Sequence, residues 1–131
     1  NGTLKSTHGE FPDAMRKVAQ EMQVPLIDAT KMTTSLYGSW GNELSKKAFV
    51  HYPVNTFPGQ INPLADNTHL NNFGANELAR CIVQNIKNAG LPLAKNIKPT
   101  VPHYIFKKPN KPTDWTVPMS TRIGIDKPDG E

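Results

Sequence analysis

Two stretches of the sequence repeat apolar residues at helical spacing. In residues 12–22, Ala14, Met15, Val18, Ala19 and Met22 fall on one face, and Pro12 suits a first helical turn. In residues 72–89, Ala75, Leu78, Ala79, Ile82, Val83 and Ile86 form a broader apolar face, with Asn71 or Asn72 to cap it and Gly90 to end it. Between them the pattern changes. Val24-Pro25-Leu26-Ile27-Asp28 is a short apolar run directly after a helix, which predicts a buried parallel strand with Pro25 at its start. Thr30 can cap a helix over 30–37, Gly38 and Gly41 punctuate it, and a short helix over 42–49 follows. Residues 50–65 are rich in Pro, Gly and Asn and read as a long loop, a kind of segment that is often functional.

From Leu91 the character shifts. Prolines at 92, 99, 102, 109, 112, 118 and 128 exclude helix through most of the segment, leaving short edge strands over 101–107 and 115–118. The chain therefore divides into a helix-rich part, residues 1–90, and a Pro-rich tail or linker, residues 91–131.

Composition narrows the function classes. The chain has 131 residues, 37% of them hydrophobic and 20% charged, enough for one domain with a core. No stretch approaches the ~20 apolar residues of a membrane-spanning helix, so no membrane partner is expected. The net charge of +4 lies mostly in the tail: residues 1–90 hold eight Lys/Arg against seven Asp/Glu, residues 91–131 seven against four. The excess is spread among prolines without a clustered aromatic-basic face, which argues against a nucleic-acid partner. The single cysteine, Cys81, lies in an apolar helical pattern and reads as a buried structural thiol.

The chemistry concentrates in Asp66-Asn67-Thr68-His69-Leu70-Asn71-Asn72-Phe73-Gly74-Ala75. An acid and a histidine three apart, in a turn before a helix, can approach each other. The carboxylate then accepts a hydrogen bond from the imidazole Nδ1, which leaves Nε2 free as a base. Standing alone, such a pair also fits a helix-start acid beside a surface histidine. His8 and His51 are further candidates for lining a substrate cleft, and Trp40, Tyr52 and Phe57 for stacking on sugars, against plain loop and packing roles. His103 reads as structural or exposed. A metal site built from His51, Asp66 and His69 matches no known ligand spacing. Ser39, in Tyr37-Gly38-Ser39-Trp40-Gly41, lacks the strand–turn–helix setting of a nucleophile elbow.

The block from Asp66 to Ala75 strongly resembles the last conserved block of SGNH (GDSL-type) hydrolases. Thr7-His8-Gly9-Glu10-Phe11-Pro12-Asp13-Ala14-Met15-Arg16, Val24-Pro25-Leu26-Ile27-Asp28 and Ser45-Lys46-Lys47-Ala48-Phe49 resemble the rhamnogalacturonan acetylesterase branch. The resemblance covers roughly residues 1–90. It implies a flavodoxin-like, three-layer α/β/α fold and ester hydrolysis by Ser–His–Asp chemistry without metal or cofactor. His69 would be the general base and Asp66 its orienting acid. The substrate implied is an acetylated polysaccharide or oligosaccharide, and export to the periplasm or exterior follows from such a substrate.

The Gly-Asp-Ser and Gly-x-Asn-Asp blocks of the family, which carry nucleophile and oxyanion hole, do not occur in this sequence. The expectation is a carboxyl-terminal fragment of such an enzyme, consistent with an opening Asn1-Gly2-Thr3-Leu4 that has neither start methionine nor signal pattern. A fragment missing its first strands should expose apolar surface and self-associate. The competing expectation is a non-catalytic carbohydrate-binding or structural module in which Asp66 and His69 are relics.

Overall fold

A computed structural model describes residues 4–116. Three helices and a two-stranded sheet succeed one another as α1 (Phe11–Glu21), α2 (Ala29–Lys46), β1 (Phe49–Tyr52), β2 (Leu64–Leu70) and α3 (Asn72–Asn88), followed by 3-10 turns at Pro92–Asn96 and Pro112–Asp114.

Helix α1 has Pro12 in its first turn, where a missing N–H costs no helical bond. It stops where Gln23 takes φ 53°. Among its residues only Ala19 is buried. Phe11, Met15, Val18 and Met22, spaced as one helical face, are all exposed, Phe11 at 78%. Beside them the 24–28 run takes no regular structure and pairs with no strand among the described residues, and Val24 and Leu26 are exposed. The predicted buried parallel strand is therefore corrected. Hydrophobic patterning reports what a segment is built to bury against, but a strand also needs a neighbour to take its backbone hydrogen bonds.

Helix α2 is capped by Asp28, not by Thr30: the Asp28 carboxylate accepts from Lys31 N at 2.9 Å and is itself held by Arg16 Nε at 2.7 Å. That guanidinium keeps the Asp28 carboxyl below the usual carboxylate range. The helix runs straight through Gly38 and bends at Gly41, whose φ of 71° joins two helical segments. Gly38 therefore ends nothing, and the separate helix expected over 42–49 is the second limb of α2. Ser39 sits inside this helix with its hydroxyl donating to Ser35 O, which is no nucleophile elbow.

Met32, Leu36 and Trp40, one α2 turn apart, meet Phe73 and Cys81 of α3, Ala48 and Tyr104 in the core. Trp40 packs against Phe73 at 5.3 Å, and Phe73 against Trp115 at 5.7 Å. Trp40 is thus a core residue. Burial pushes the Cys81 thiol up to about 11, the state of an inert structural cysteine. Tyr52 and Phe57 pack edge to face on each other at 5.1 Å.

The sheet is an antiparallel hairpin, so much of the predicted 50–65 loop is flanked by paired strands. Helices with a small sheet are α/β in the broad sense; a parallel three-layer arrangement is not present among the described residues. Residues 101–107 form no strand. The segment docks on α3 through side chains instead: Lys87 Nζ donates to Val101 O and the Gln84 side chain accepts from Tyr104 N, while beyond it Trp40 Nε1 of α2 donates to Asn110 O. Pro102 removes one ladder donor, and the segment pairs with no strand among the described residues. Trp115 is extended, neither it nor Thr116 pairs with a strand among the described residues, and 117–118 of the predicted 115–118 strand lie outside the described residues. No helix among the described residues is long and apolar enough to cross a membrane.

Candidate active site

The segment that joins β2 to α3 is shaped by a bulge. Phe49 pairs with Leu70 and His51 with Ala65, so two steps along β1 face five along β2. Asp66 to His69, four residues opposite the single Val50, cannot all lie flat in the ladder, and the strand bulges there. The acid and histidine thus sit in a bulged strand, not in the plain turn that their spacing predicts.

Asp66 organises the bulge. Its Oδ1 accepts from Thr68 N at 2.6 Å and His69 N at 3.0 Å, and its Oδ2 lies 2.6 Å from His69 Nδ1. Three donors converge on one carboxylate. The two backbone N–H groups first, and then the His69 ring, hold the Asp66 carboxyl down at about 2. His69 Nε2 has no hydrogen-bond partner among the described residues, and the side chain is 77% exposed. The geometry therefore presents an imidazole fixed at one nitrogen and open at the other.

The pH dependence follows from the depressed value. A carboxyl whose folded pKa lies below the ordinary 3.8 stabilises the bulge above that ordinary value, and the contribution disappears as pH falls toward 2. We expect the Asp66 carboxyl carbon to titrate with a midpoint near 2 in carbon-13 NMR. A midpoint at the ordinary value near 3.8 would mean that the three donors do not hold it.

Asn71 pins the bulge to its surroundings. Its Nδ2 donates to Lys47 O at 2.7 Å and Phe49 O at 3.0 Å, while its Oδ1 accepts from Gly74 N and caps α3. Gly74 is required for the close approach: a Cβ there would run into the Ala48 carbonyl. The cap role of Asn71 is legible in sequence; its grip on the end of β1 is not, because nothing local signals a partner 22 or 24 residues away.

The structure brings both other candidate histidines to this region. His51 Nε2 lies 2.8 Å from Oδ1 of Asn67, which stands between Asp66 and His69 in sequence. His8, in the turn before α1, lines a groove with Asn67 and Thr68. His103 is exposed in the tail, away from these contacts. Among the described residues no group of three or more His, Cys, Asp or Glu is placed to hold a metal ion. Asn67 is the residue that sequence reasoning passed over: its amide links His51 to the bulge, and only the hairpin register makes that visible.

Comparison with known proteins gives two informative relatives. The rhamnogalacturonan acetylesterase RhgT of Bacillus subtilis (strain 168) is 40% identical over 97 residues, which are 74% of this chain and 42% of that protein. The probable rhamnogalacturonan acetylesterase YesY of the same organism is 32% identical over 91 residues, 67% of this chain and 38% of that protein. The chain spans about two fifths of the length of these curated relatives. No family model matches the chain, and no solved structure does.

Proposed function

This chain is a relative of the rhamnogalacturonan acetylesterases, and on that premise we propose that it is the carboxyl-terminal part of a serine carboxylic-ester hydrolase of the SGNH type. It removes O-acetyl groups from a pectin-like polysaccharide of the rhamnogalacturonan kind. It contributes the histidine base and the aspartate, while the serine and oxyanion donors lie outside these 131 residues. The observation that carries the reading is the 2.6 Å contact between Asp66 Oδ2 and His69 Nδ1, with the other carboxylate oxygen occupied by backbone N–H groups and Nε2 left open.

The chemistry follows from that arrangement. With Nδ1–H donated to Asp66, Nε2 is a proton acceptor. It takes the proton of the serine hydroxyl as Oγ attacks the acetyl carbonyl. The imidazolium that forms is stabilised by the Asp66 carboxylate. It returns the proton to the sugar oxygen as the C–O ester bond breaks, leaving an acetyl-enzyme and a free hydroxyl. Water, deprotonated by the same Nε2, then releases acetate and restores the serine. None of these steps calls for a metal or cofactor. A polymeric substrate of this kind lies outside the cell, so the protein is expected to be exported.

The packing supports the partial-fold reading. The exposed face of α1 and the unpaired 24–28 run lie side by side in sequence, as a helix and strand made for a larger α/β/α sheet would. We expect the 131-residue chain alone to show no turnover of p-nitrophenyl acetate and to sediment as dimers or larger species through that face. Turnover that vanishes on His69→Ala would overturn the division of the triad. A strictly monomeric profile would overturn the open-face argument.

A further inference from the structure

The bulge holds a more definite shape than its own backbone would give it. Asp66 to His69 stand opposite Val50 alone, and the extra residues of a bulge lack the ladder bonds that fix a strand's peptides. Yet Asp66 Oδ1 meets Thr68 N at 2.6 Å and His69 N at 3.0 Å, so both N–H groups turn to one side. Asn71 ties down the end nearer α3, through Lys47 O and Phe49 O. The middle is held from β1. His51, paired with Ala65, stands at the other end of the bulge, and its Nε2 lies 2.8 Å from Asn67 Oδ1. An amide oxygen only accepts, so the neutral His51 ring carries its proton on Nε2, the opposite arrangement to His69. Among the described residues no other side-chain hydrogen bond runs from Asp66 to His69 across to β1.

That bond acts on the peptide that matters. The Thr68 N–H belongs to the planar unit that begins at the Asn67 carbonyl, so anchoring the Asn67 side chain limits the rotation of that unit. Imidazole donates from Nε2 in its protonated form as well, so the anchor does not depend on the charge of His51. We propose that His51 is a positioning residue for the Asp66–His69 pair, acting through Asn67. It keeps the bulge in the one shape in which two backbone N–H groups and the His69 ring reach the same carboxylate. In this role it touches no substrate. Its consequence for turnover rests on the esterase reading, whereas its consequence for the geometry of the bulge does not.

The test compares His51→Ala, His51→Asn and His51→Gln. A glutamine amide nitrogen reaches about as far as imidazole Nε2, an asparagine one only as far as Nδ1. In the isotope-labelled 131-residue chain, the Asp66 carboxyl midpoint is expected to move from about 2 toward 3.8 in His51→Ala and His51→Asn, and to stay near 2 in His51→Gln. Asn67→Ala should give the same rise, and combining it with His51→Ala should add nothing, as for two residues that act through one bond. In the intact polypeptide, His51→Ala should lower kcat for an acetyl ester about ten-fold with KM unchanged, and His51→Gln should recover most of the loss. Where the alanine variant melts early, the glutamine and asparagine variants, which differ in donor reach, decide. An Asp66 midpoint indifferent to His51→Ala, a glutamine variant no better than asparagine, additive single variants, or a loss that falls on KM alone would overturn the positioning role. Persistent hydrolysis by the intact enzyme carrying His69→Ala would instead overturn the esterase reading, and the Asp66 midpoints would still decide what His51 does to the bulge.

Discussion

Replacing His69 by alanine in the intact polypeptide is expected to lower kcat for an acetyl ester by about 10⁴-fold or more, the scale seen when a serine hydrolase loses its base. The fold should be untouched. The ring is 77% exposed and makes one side-chain hydrogen bond among the described residues, to Asp66, so its removal leaves no cavity and no unsatisfied buried group there. Asp66→Asn should cost about 10³–10⁴-fold, for a different reason. An amide that donates toward Nδ1 favours the tautomer with its proton on Nε2, and the base is lost while the ring stays in place. The two backbone N–H groups at Thr68 and His69 can still bond to the amide oxygen, so the bulge should survive. Initial rates on p-nitrophenyl acetate, with thermal melts of the same preparations, check both statements. Either variant retaining more than a tenth of the activity would remove the pair from the chemistry.

The second large effect is expected far from the imidazole. Glu77 is completely buried on α3. Its two oxygens accept from Tyr104 OH at 2.6 Å, Asn110 Nδ2 at 2.8 Å and Asn110 N at 3.1 Å, and Arg80 sits at 3.2 Å. One carboxylate thus fastens two points of the Pro-rich segment to the helix that follows the bulge. Its hydrogen bond and charge also push the already buried Tyr104 phenol well up. Glu77→Leu strands Tyr104 OH and both Asn110 donors. Breaking such a buried, partnered charge costs about 3–5 kcal/mol, which corresponds to a drop in Tm of about 10 °C or more for a domain of this size. Glu77→Gln, which keeps one acceptor, should lose less. A melt displaced by only a degree or two for Glu77→Leu would show that the segment is held by other contacts.

Legibility from sequence varied with how local each cause was. Helix α3 is readable because its apolar face, its Asn71 cap and its Gly90 stop all lie within its own span. The approach of Asp66 to His69 is readable for the same reason, being a contact three residues long. The hairpin is not. Phe49–Tyr52 is four residues, too short for alternation to stand out, and its partner follows a Pro-rich loop. The bulge that shapes the site is a register effect, and register is set between strands. The 24–28 run fails in the opposite sense: its apolar pattern is sound, and what it lacks among the described residues is a neighbouring strand. Glu77 reads as one more polar position on a helix, because its main partner, Asn110, is 33 residues away.

The central claim is that Asp66 fixes the protonation of His69 so that Nε2 is available. Nitrogen-15 NMR of the histidine side chains, at a pH where the ring is neutral, reads this without any need for substrate. The account predicts that His69 carries its proton on Nδ1 with Nε2 bare, and that Asp66→Asn reverses or mixes the tautomers. A ring protonated on Nε2 in the unaltered chain, or one indifferent to Asp66→Asn, would contradict it.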